Sequence, residues 1–294
     1  MLLGLPKFDY LSCQTLDEAC SLLAKFPGEA RVLAGGTDLL VKMKHRKVMP
    51  HYLINIKKIP DINYIHYDDQ EGVRIGALTT IQRIKTSPLI AKKWPVLSQA
   101  AGVLGTAHVR NLATLGGNLC NASPASECAS PLLTLGASAK IVGVKGERTV
   151  PMEAFFVGPG KSVLENDEVL AEIKIPHLPP HTVGAHLKFG TRRGDVAIAG
   201  VSVLITLDGK TCRDIRIALG AVGPTPFRAK SAEDILRGQA LKGGSNGLLA
   251  RAAQAASDES HPIDDLRGSA AYRKELVQTL VKQGLECALA QARP

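Results

Sequence analysis

Two glycine pairs, about eighty residues apart, constrain this chain more than any other feature of its sequence. Gly35-Gly36 lies in residues 34–39 (AGGTDL), and Gly116-Gly117 lies in residues 114–124 (TLGGNLCNASP). A glycine pair lets the backbone approach a ligand closely and direct successive N–H groups to one point. Either pair alone also fits an ordinary structural turn. Together, with threonine and asparagine beside them, they predict two walls around a ligand with two phosphate groups.

The first glycine pair has the context that an anion-binding loop needs. Residues 30–33 are a short strand-like run, and residues 39–47 have helical character. A helix N-terminus adds free N–H groups and the positive end of a dipole. Residues 42–47 are also the densest basic run of the chain. That run fits either a solvated helix face or contact with an anionic ligand or protein partner.

The hydrophobic pattern predicts an α+β chain with two domains. An N-terminal domain over residues 1–176 divides into subdomains 1–56 and 57–176, and the proline-rich residues 177–181 (HLPPH) predict a linker. The C-terminal domain, residues 182–294, combines a three-stranded sheet with helices. The predicted strands are 185–191, 196–207 and 212–222, and the predicted helices are 231–237, 246–256 and 269–291. In the N-terminal domain, the pattern also predicts a helical segment over residues 88–104 that Pro95 divides, a helix near residues 126–135, and an alternating strand over residues 169–175 that ends at Pro176.

Composition excludes several classes of protein. The 294 residues are 45% apolar and 21% charged, as in soluble globular domains. The net charge is +9, but the basic residues are spread thinly along the chain. Only 4% of all residues are aromatic, so we expect no nucleic-acid partner. The N-terminus does not resemble a secretory signal, and no apolar run approaches the roughly 20 residues of a membrane span. We therefore predict a cytoplasmic protein with reduced thiols.

The common nucleotide-binding motifs do not fit this sequence. Residues 158–162 (GPGKS) contain the end of a P-loop, but Phe155 stands where that motif needs its first glycine. Pro159 also removes one backbone donor, so a turn is the preferred interpretation. No segment matches the Rossmann pattern Gly-x-Gly-x-x-Gly. The two glycine pairs must therefore be judged on their own pattern.

The six cysteines do not form a metal site. No Cys-x-x-Cys pair is present, no histidine cluster has zinc spacing, and no group of three or four cysteines is close enough for an iron–sulfur cluster. We predict no metal ligands.

Five segments together resemble one protein family. They are residues 32–39 (VLAGGTDL), 110–118 (RNLATLGGN), 122–127 (ASPASE), 168–176 (EVLAEIKIP) and 188–197 (KFGTRRGDVA). This series closely resembles the FAD-binding subunit of molybdenum hydroxylases, the family of carbon monoxide dehydrogenase medium subunits and xanthine dehydrogenase flavin domains. The resemblance covers essentially the whole chain. It implies a two-subdomain FAD-binding domain of vanillyl-alcohol-oxidase (PCMH) type, followed by a C-terminal α+β domain.

The resemblance also implies where FAD binds. The two glycine segments would hold the pyrophosphate through backbone N–H groups and the side chains of Thr37, Thr114 and Asn118. We expect the Asp38 carboxylate to cap its own helix or bind a water. The implied cofactor-binding residues are Val32, Leu33, Ala34, Gly35, Gly36, Thr37, Asp38, Arg110, Thr114, Gly116, Gly117, Asn118, Cys120, Ser123, Glu127, Leu170 and Lys188.

Four of these residues have specific implied roles. Cys120 stands where the family has a small or apolar residue near the flavin ring, and Glu127 stands where an aspartate is usual near the ring edge. Leu170 lies where a backbone group meets the cofactor, and Lys188 matches a lysine near the pyrimidine side of the flavin. Without the resemblance, Cys120 fits a buried hydrophobe, Glu127 a helix N-terminal acid and Lys188 a solvated strand lysine.

The implied activity is electron transfer through the flavin, and no protein side chain is predicted to be catalytic. Electrons would arrive from the [2Fe–2S] clusters of a partner subunit and leave to NAD+ or another acceptor. The implied assembly is a dimer of heterotrimers with an iron–sulfur subunit and a molybdenum-cofactor subunit. The alternative is a stand-alone flavin-binding module, acting as a sensor or assembly factor. The sequence does not name the organic substrate.

Overall fold

The computed structural model describes residues 4–192, 194–241 and 246–292. The first subdomain is a parallel sheet in the strand order β1–β3–β2. The first glycine loop starts directly after β2, at the carboxyl end of a parallel strand, which is where α/β sheets usually bind ligands. The elements of the first subdomain are β1 (Asp9–Ser12), α1 (Leu16–Lys25), β2 (Ala30–Leu33), α2 (Leu39–Lys44) and β3 (Tyr52–Asn55).

Helix α2 ends three residues earlier than the sequence pattern predicts. Arg46 has a φ of 58°, in the left-handed region that an α-helix cannot contain. The N–H of Lys47 closes the turn by donating to the Lys42 carbonyl over 2.9 Å. The predicted helix 39–47 was therefore correct in its start and too long at its end.

The second subdomain packs helices against an antiparallel sheet in the order β4–β5–β10–β6–β7. Its core includes Trp94, Leu97 and Phe155, all essentially inaccessible to solvent. The predicted helix over residues 88–104 is divided at Pro95, as expected. The elements are β4 (Ile65–Asp68), β5 (Gly72–Gly76), α3 (Ile81–Thr86), α4 (Pro88–Lys93), α5 (Pro95–Val103), α6 (Ala107–Leu112), α7 (Leu115–Cys120), α8 (Ala129–Thr134), β6 (Ser138–Gly143), β7 (Gly146–Pro151), β8 (Phe156–Gly158), β9 (Lys161–Ser162) and β10 (Val169–Ile175).

The second glycine pair does not form a loop. It lies inside α7, a short helix with Thr114 as its N-cap residue. Helix α8 starts three residues later than predicted, because residues 123–128 form hydrogen-bonded turns instead.

The C-terminal domain is an antiparallel sheet in the order β11–β12–β13–β14. Helices α9 and α11 pack on one face, with α10 against both of them, and α5 and α8 of the second subdomain pack on the other face. Strand β12 is buried along almost its whole length for this reason. The predicted three strands are present, and the sequence pattern missed the two-residue β14. The elements are β11 (Thr182–Phe189), β12 (Ala199–Asp208), β13 (Thr211–Gly220), β14 (Phe227–Arg228), α9 (Lys230–Leu236), α10 (Asn246–Asp258) and α11 (Ala270–Gln291).

Helix α11 packs through a stripe of apolar residues at helical spacing, including Val277, Val281 and Leu285. The second domain thus has its own hydrophobic core, separate from that of the second subdomain. Within the described ranges, no helix is long and apolar enough to cross a membrane. Arg193, part of the last sequence motif, lies outside the described residues.

Candidate functional site

A cavity of about 510 Å³ lies between the first and second subdomains. This volume is within the range of about 300–1,000 Å³ that is typical of small-molecule sites. Both glycine segments line it, so the structure brings together the two features that are far apart in sequence. The predicted residues in its wall are Val32, Ala34, Gly35, Gly36, Thr37, Asp38, Thr114, Gly116, Gly117, Asn118, Cys120 and Leu170.

The first glycine loop offers backbone donors to this cavity. Among the described residues, none accepts a hydrogen bond from the backbone N–H groups of Gly35, Gly36, Thr37 or Asp38. The Thr37 hydroxyl also has no partner within the described part of the chain. Gly35, Gly36 and Thr37 are half-buried and Asp38 is exposed, and four successive N–H donors without a protein acceptor beside a cavity fit an anionic ligand.

The second glycine segment pairs its backbone N–H groups within the protein, and its predicted role in phosphate binding stays a prediction. The N–H groups of Leu115 and Gly116 donate to the carbonyls of Thr79 and Ala77, over 2.9 and 2.8 Å. The Thr114 hydroxyl oxygen accepts from the Gly117 N–H over 3.0 Å as the helix cap, and its own proton stays available to donate to a ligand. This segment forms the opposite wall without backbone donors.

Asn118 is the polar side chain that this second wall retains. Its Oδ1 accepts hydrogen bonds from the Ser126 hydroxyl and the Cys128 N–H, over 2.7 and 3.3 Å. The oxygen is therefore occupied, and the NH₂ group is the part of the amide left to donate to a ligand. The role predicted for Asn118 stays a prediction, with its donor atom now specified.

The glycines are needed for close packing as well as for ligand approach. A Cβ atom at Gly35 would lie 2.1 Å from the Leu112 carbonyl oxygen, and one at Gly116 would lie 2.7 Å from the Ala77 Cβ. A side chain at Gly35 would push the first glycine loop away from Leu112 in the second subdomain. One at Gly116 would push α7 away from Ala77 within the second subdomain. Gly36 has a φ of 74°, which a glycine adopts without strain.

Lys42 supplies a cation that the glycine segments themselves lack. It lies one turn into α2, lines the cavity, and donates from Nζ to the Asn121 Oδ1 over 2.5 Å. The sequence pattern allowed two interpretations of residues 42–47, a solvated helix face or a contact with an anion. The structure shows both within this run, because Lys42 faces the cavity whereas Lys44 is exposed. The sequence signal for this position was the four-residue spacing between Asp38 and Lys42, which corresponds to one helical turn.

Asp38 does not cap its helix through its side chain. It occupies the N-cap position of α2, but its carboxylate makes no capping hydrogen bond. The expectation of a side-chain cap is therefore wrong, and the carboxylate lies in the cavity wall with Lys42 nearby on the next helical turn.

Replacing Lys42 with methionine should weaken binding of an anionic ligand in the cavity about tenfold or more, since a charge-assisted hydrogen bond contributes about 1.5–3 kcal/mol. A fluorescence titration of the apoprotein with the ligand measures the change. Lys44→Met is the matched control, because it removes the same charge from the exposed face of the same helix. Equal affinity loss in both variants would show that only net charge matters.

Five of the predicted residues lie outside the cavity wall. Leu33 is buried in a small core with Met43 and Leu53. The Ser123 hydroxyl accepts from the Ala125 N–H over 3.2 Å and stabilises a turn. The Arg110 guanidinium donates to the carbonyls of Leu104 and Gly105 and to the Gln82 side chain, and it is 8% exposed. These three residues support the wall from behind, and the remaining two are Glu127 and Lys188.

Glu127 and Lys188 form a buried ion pair behind the cavity wall. Their side chains are 11% and 7% exposed, and the Lys188 ammonium also donates to the Val103 carbonyl over 3.2 Å. Burial raises the pKa of Glu127, and the Lys188 charge opposes that rise. The alternative of a solvated lysine is excluded for Lys188. Glu127 directly precedes Cys128, the N-cap residue of α8, so its alternative as a helix N-terminal acid stays open beside the ion pair. The pair lies next to the wall, because the residues that flank Glu127 bind Asn118.

His186 is a buried histidine that the sequence pattern did not indicate. It lies on β11 two residues before Lys188, and its Nδ1 is 2.9 Å from the Ser202 hydroxyl. Burial and the nearby Lys188 charge lower the pKa of His186 from 6.5 to about 4. The imidazole is therefore neutral in the folded protein at physiological pH.

This lowered pKa predicts how stability depends on pH. Below about pH 6.5 the unfolded chain binds a proton at residue 186 and the folded chain does not, so acid favours unfolding. Between pH 7 and pH 5, the free energy of unfolding should fall by about 2 kcal/mol from this group alone. Urea unfolding of the wild type and of His186→Gln at both pH values isolates the contribution of His186 to the free energy of unfolding. Equal losses in both proteins would contradict it.

The P-loop-like residues 158–162 form the turn that the sequence predicts. They connect β8 and β9, and Gly160 has a φ of 72°. The Gly160 N–H donates to the Ala122 carbonyl over 2.9 Å, so this donor is used within the protein. Gly160 and Ser162 nevertheless lie at the wall of the same cavity.

Cys120 lines the cavity as a small apolar group. Burial raises the pKa of its thiol to about 12, so it is protonated and unreactive at neutral pH. Within the described ranges, no three side chains of histidine, cysteine, aspartate or glutamate are grouped to hold a metal ion. The cavity thus combines free N–H donors, one lysine and apolar walls, which suits a ligand with an anionic middle and apolar rings.

Comparison with known proteins identifies the ligand class. Residues 6–178 match the family model described as the FAD binding domain in molybdopterin dehydrogenase. Residues 186–288 match the CO dehydrogenase flavoprotein C-terminal domain. The chain belongs to the family of FAD-binding subunits of molybdopterin dehydrogenases. The predicted cofactor, FAD, and the predicted oxidoreductase class are confirmed at the level of the family.

Curated relatives cover the chain almost from end to end. The chain is 35% identical over 288 residues to the carbon monoxide dehydrogenase medium chain of Hydrogenophaga pseudoflava, covering 97% of this chain and 98% of that one. It is 32% identical over 290 residues to the xanthine dehydrogenase FAD-binding subunit of Escherichia coli O157:H7, covering 97% and 98%.

Solved structures match equally well. A chain of the Hydrogenophaga pseudoflava carbon monoxide dehydrogenase superposes with a TM-score of 0.96 at 35% identity, covering 99% of this chain and 100% of that chain. A chain of quinoline 2-oxidoreductase from Pseudomonas putida 86 gives a TM-score of 0.92 at 31% identity, covering 99% of both chains. The predicted α+β architecture, an FAD-binding domain followed by a sheet-and-helix domain, is confirmed.

Proposed function

We propose that this chain is the FAD-carrying electron-transfer subunit of a molybdenum hydroxylase with three kinds of subunit. An iron–sulfur subunit with [2Fe–2S] clusters delivers electrons, a molybdenum-cofactor subunit oxidises the organic substrate, and NAD+ or another acceptor removes the electrons. We propose a dimer of such heterotrimers in the cytoplasm. The relatives named above support this proposal because they match over the full length of both chains.

The free N–H groups of the first glycine loop are the observation that carries the cofactor assignment. They form a donor set for the FAD pyrophosphate, together with the Thr37 hydroxyl, the Asn118 amide and the Lys42 ammonium. FAD supplies the exchange of electrons one or two at a time. The chain itself binds and orients the cofactor. Gly35 lets the first glycine loop lie directly against the Leu112 backbone at the edge of this site.

The apolar residues of the cavity suit the two ring systems of FAD. Val32, Leu78, Leu104, Cys120 and Leu170 belong to this lining. The buried Lys188–Glu127 pair adds a fixed positive and a fixed negative group behind the wall. We propose that Lys188 and Glu127 influence the flavin from this position rather than by lining the cavity.

We also propose that the chain divides functionally at its proline-rich linker, into residues 1–176 with the cofactor and residues 182–294 as the supporting domain. The separate hydrophobic core beneath the second sheet supports this division. The packing of α5 and α8 on that sheet supports a fixed arrangement of the two domains.

Co-purification tests the proposed assembly. A tagged copy of the chain, expressed in its native host, should elute with an iron–sulfur chain and a molybdenum-containing chain in equal amounts. Iron, molybdenum and FAD content measure this directly. Elution of the chain alone, with FAD bound and no iron, would favour the stand-alone flavin module and contradict the proposal.

Acceptor choice needs a separate measurement on the purified complex. After anaerobic reduction with dithionite and removal of the excess, the flavin band should recover on addition of the physiological acceptor. Recovery with NAD+ supports the nicotinamide assignment. Recovery only with oxygen or a quinone analogue would assign a different acceptor.

A further inference from the structure

A second, much smaller cavity lies where the FAD-binding domain meets the C-terminal sheet. Its volume is about 10 Å³, which is close to the space that one water molecule requires. Five polar side chains line it, from two segments of the chain. They are Ser126, Glu127, Ser130, His186 and Lys188.

One atom in this cavity lacks a hydrogen-bond partner. The Nε2 atom of His186 is buried and has none within the described part of the chain. The side chain is 8% exposed, so bulk solvent does not reach it freely. An unsatisfied buried nitrogen costs about 1–3 kcal/mol, and native proteins rarely leave one.

The hydrogen bonds around His186 determine what this nitrogen requires. The Ser202 hydroxyl donates to the Ser130 hydroxyl over 3.1 Å, so Ser202 accepts at its oxygen from His186 Nδ1. The neutral imidazole therefore carries its proton on Nδ1, and Nε2 presents a lone pair. The group that satisfies Nε2 must be a donor.

Lys188 and Glu127 complete the geometry of a binding site. The Lys188 ammonium has three protons, of which one goes to Glu127 and one to the Val103 carbonyl. The third has no acceptor within the described residues. The second carboxylate oxygen of Glu127 likewise has no side-chain partner there. The third Lys188 proton, the second Glu127 oxygen and the lone pair of His186 Nε2 thus border a space of about one water molecule.

We propose that this cavity binds one ordered water. Its oxygen accepts the third Lys188 proton, and its two protons go to His186 Nε2 and the Glu127 carboxylate. Each of the three side chains then has its hydrogen bonds satisfied. His186 is thereby a positioning residue for Lys188, because the water fixes the direction of the ammonium group at the junction of the two domains.

A high-resolution crystal structure of the FAD-loaded full-length chain tests the site directly. The proposal predicts one water within hydrogen-bond distance of His186, Lys188 and Glu127. Nitrogen-15 NMR of the imidazole should show a proton on Nδ1 and none on Nε2. A dry cavity, or a proton on Nε2, would overturn the proposal. Both measurements use the wild-type protein, so neither depends on the folding of a variant.

A pair of variants tests the positioning role. His186→Gln keeps an acceptor near the Nε2 position, and His186→Leu removes it. Exchange of the Lys188 ammonium protons with solvent, followed by NMR, should stay slow in His186→Gln and become about tenfold faster in His186→Leu. Equal exchange in both variants would show that His186 has only a packing role.

Discussion

Replacing Gly36 with valine is expected to abolish FAD retention while the C-terminal domain stays folded. Gly36 has a φ of 74°, where a β-branched residue is strongly strained, and the left-handed conformation alone costs a non-glycine residue about 1–2 kcal/mol. A Cβ atom there would point at the Leu33 and Leu40 side chains, about 3.1–3.2 Å away, and not into the cavity. The effect therefore comes from a changed loop backbone that misdirects its N–H donors.

FAD content after gel filtration, from the ratio of flavin to protein absorbance, measures this loss. Gly28→Val is the matched control, because Gly28 has a φ of 78° in the same subdomain, with open space around its Cβ position. The control should retain FAD despite a similar backbone strain. Wild-type FAD content in Gly36→Val would show that the first loop is misassigned, and equal loss in both variants would point to general instability.

Replacing Lys188 with methionine is expected to lower the free energy of unfolding by about 3–5 kcal/mol. The substitution leaves the Glu127 carboxylate buried without its partner, and removing one member of a buried ion pair has a cost of this size. It should also raise the pKa of Glu127 further, because the opposing ammonium charge is gone. Urea unfolding at pH 7 measures the change.

The double variant Lys188→Met with Glu127→Gln separates pairing from packing. It removes both charges and should recover a large part of the lost stability. Lys210→Met is the exposed control, in the turn between β12 and β13, and it should change stability by less than about 0.5 kcal/mol. A loss below about 1 kcal/mol in Lys188→Met would show that water reaches the pair freely.

The sequence predicted the features that depend on local pattern. The glycine pairs, the strand before Gly35 and the break at Pro95 all follow from the conformational needs of glycine and proline. Strand β10 was predicted with the limits that the structure shows, because its alternating pattern ends at Pro176. The family resemblance then supplied the cofactor, which no local pattern specifies.

The remaining features depend on tertiary contacts that a single sequence does not display. The sequence does not show that the Thr114 hydroxyl oxygen also caps α7. In the sequence, Lys42 is one of several basic residues. Its position in the cavity follows from the packing of α2 against Asn121, which only the structure shows. His186 is buried because α5 and α8 cover the C-terminal sheet, and nothing in its own strand predicts that burial.

The absorption spectrum of the purified full-length chain, titrated with dithionite, tests the central claim most directly. The account predicts a flavin band that dithionite bleaches, and release of FAD in a stoichiometric amount when the protein is denatured. An apoprotein preparation should regain the band on incubation with FAD. Absence of a flavin band, together with no uptake of FAD on reconstitution, would contradict the assignment of the cavity between the two subdomains.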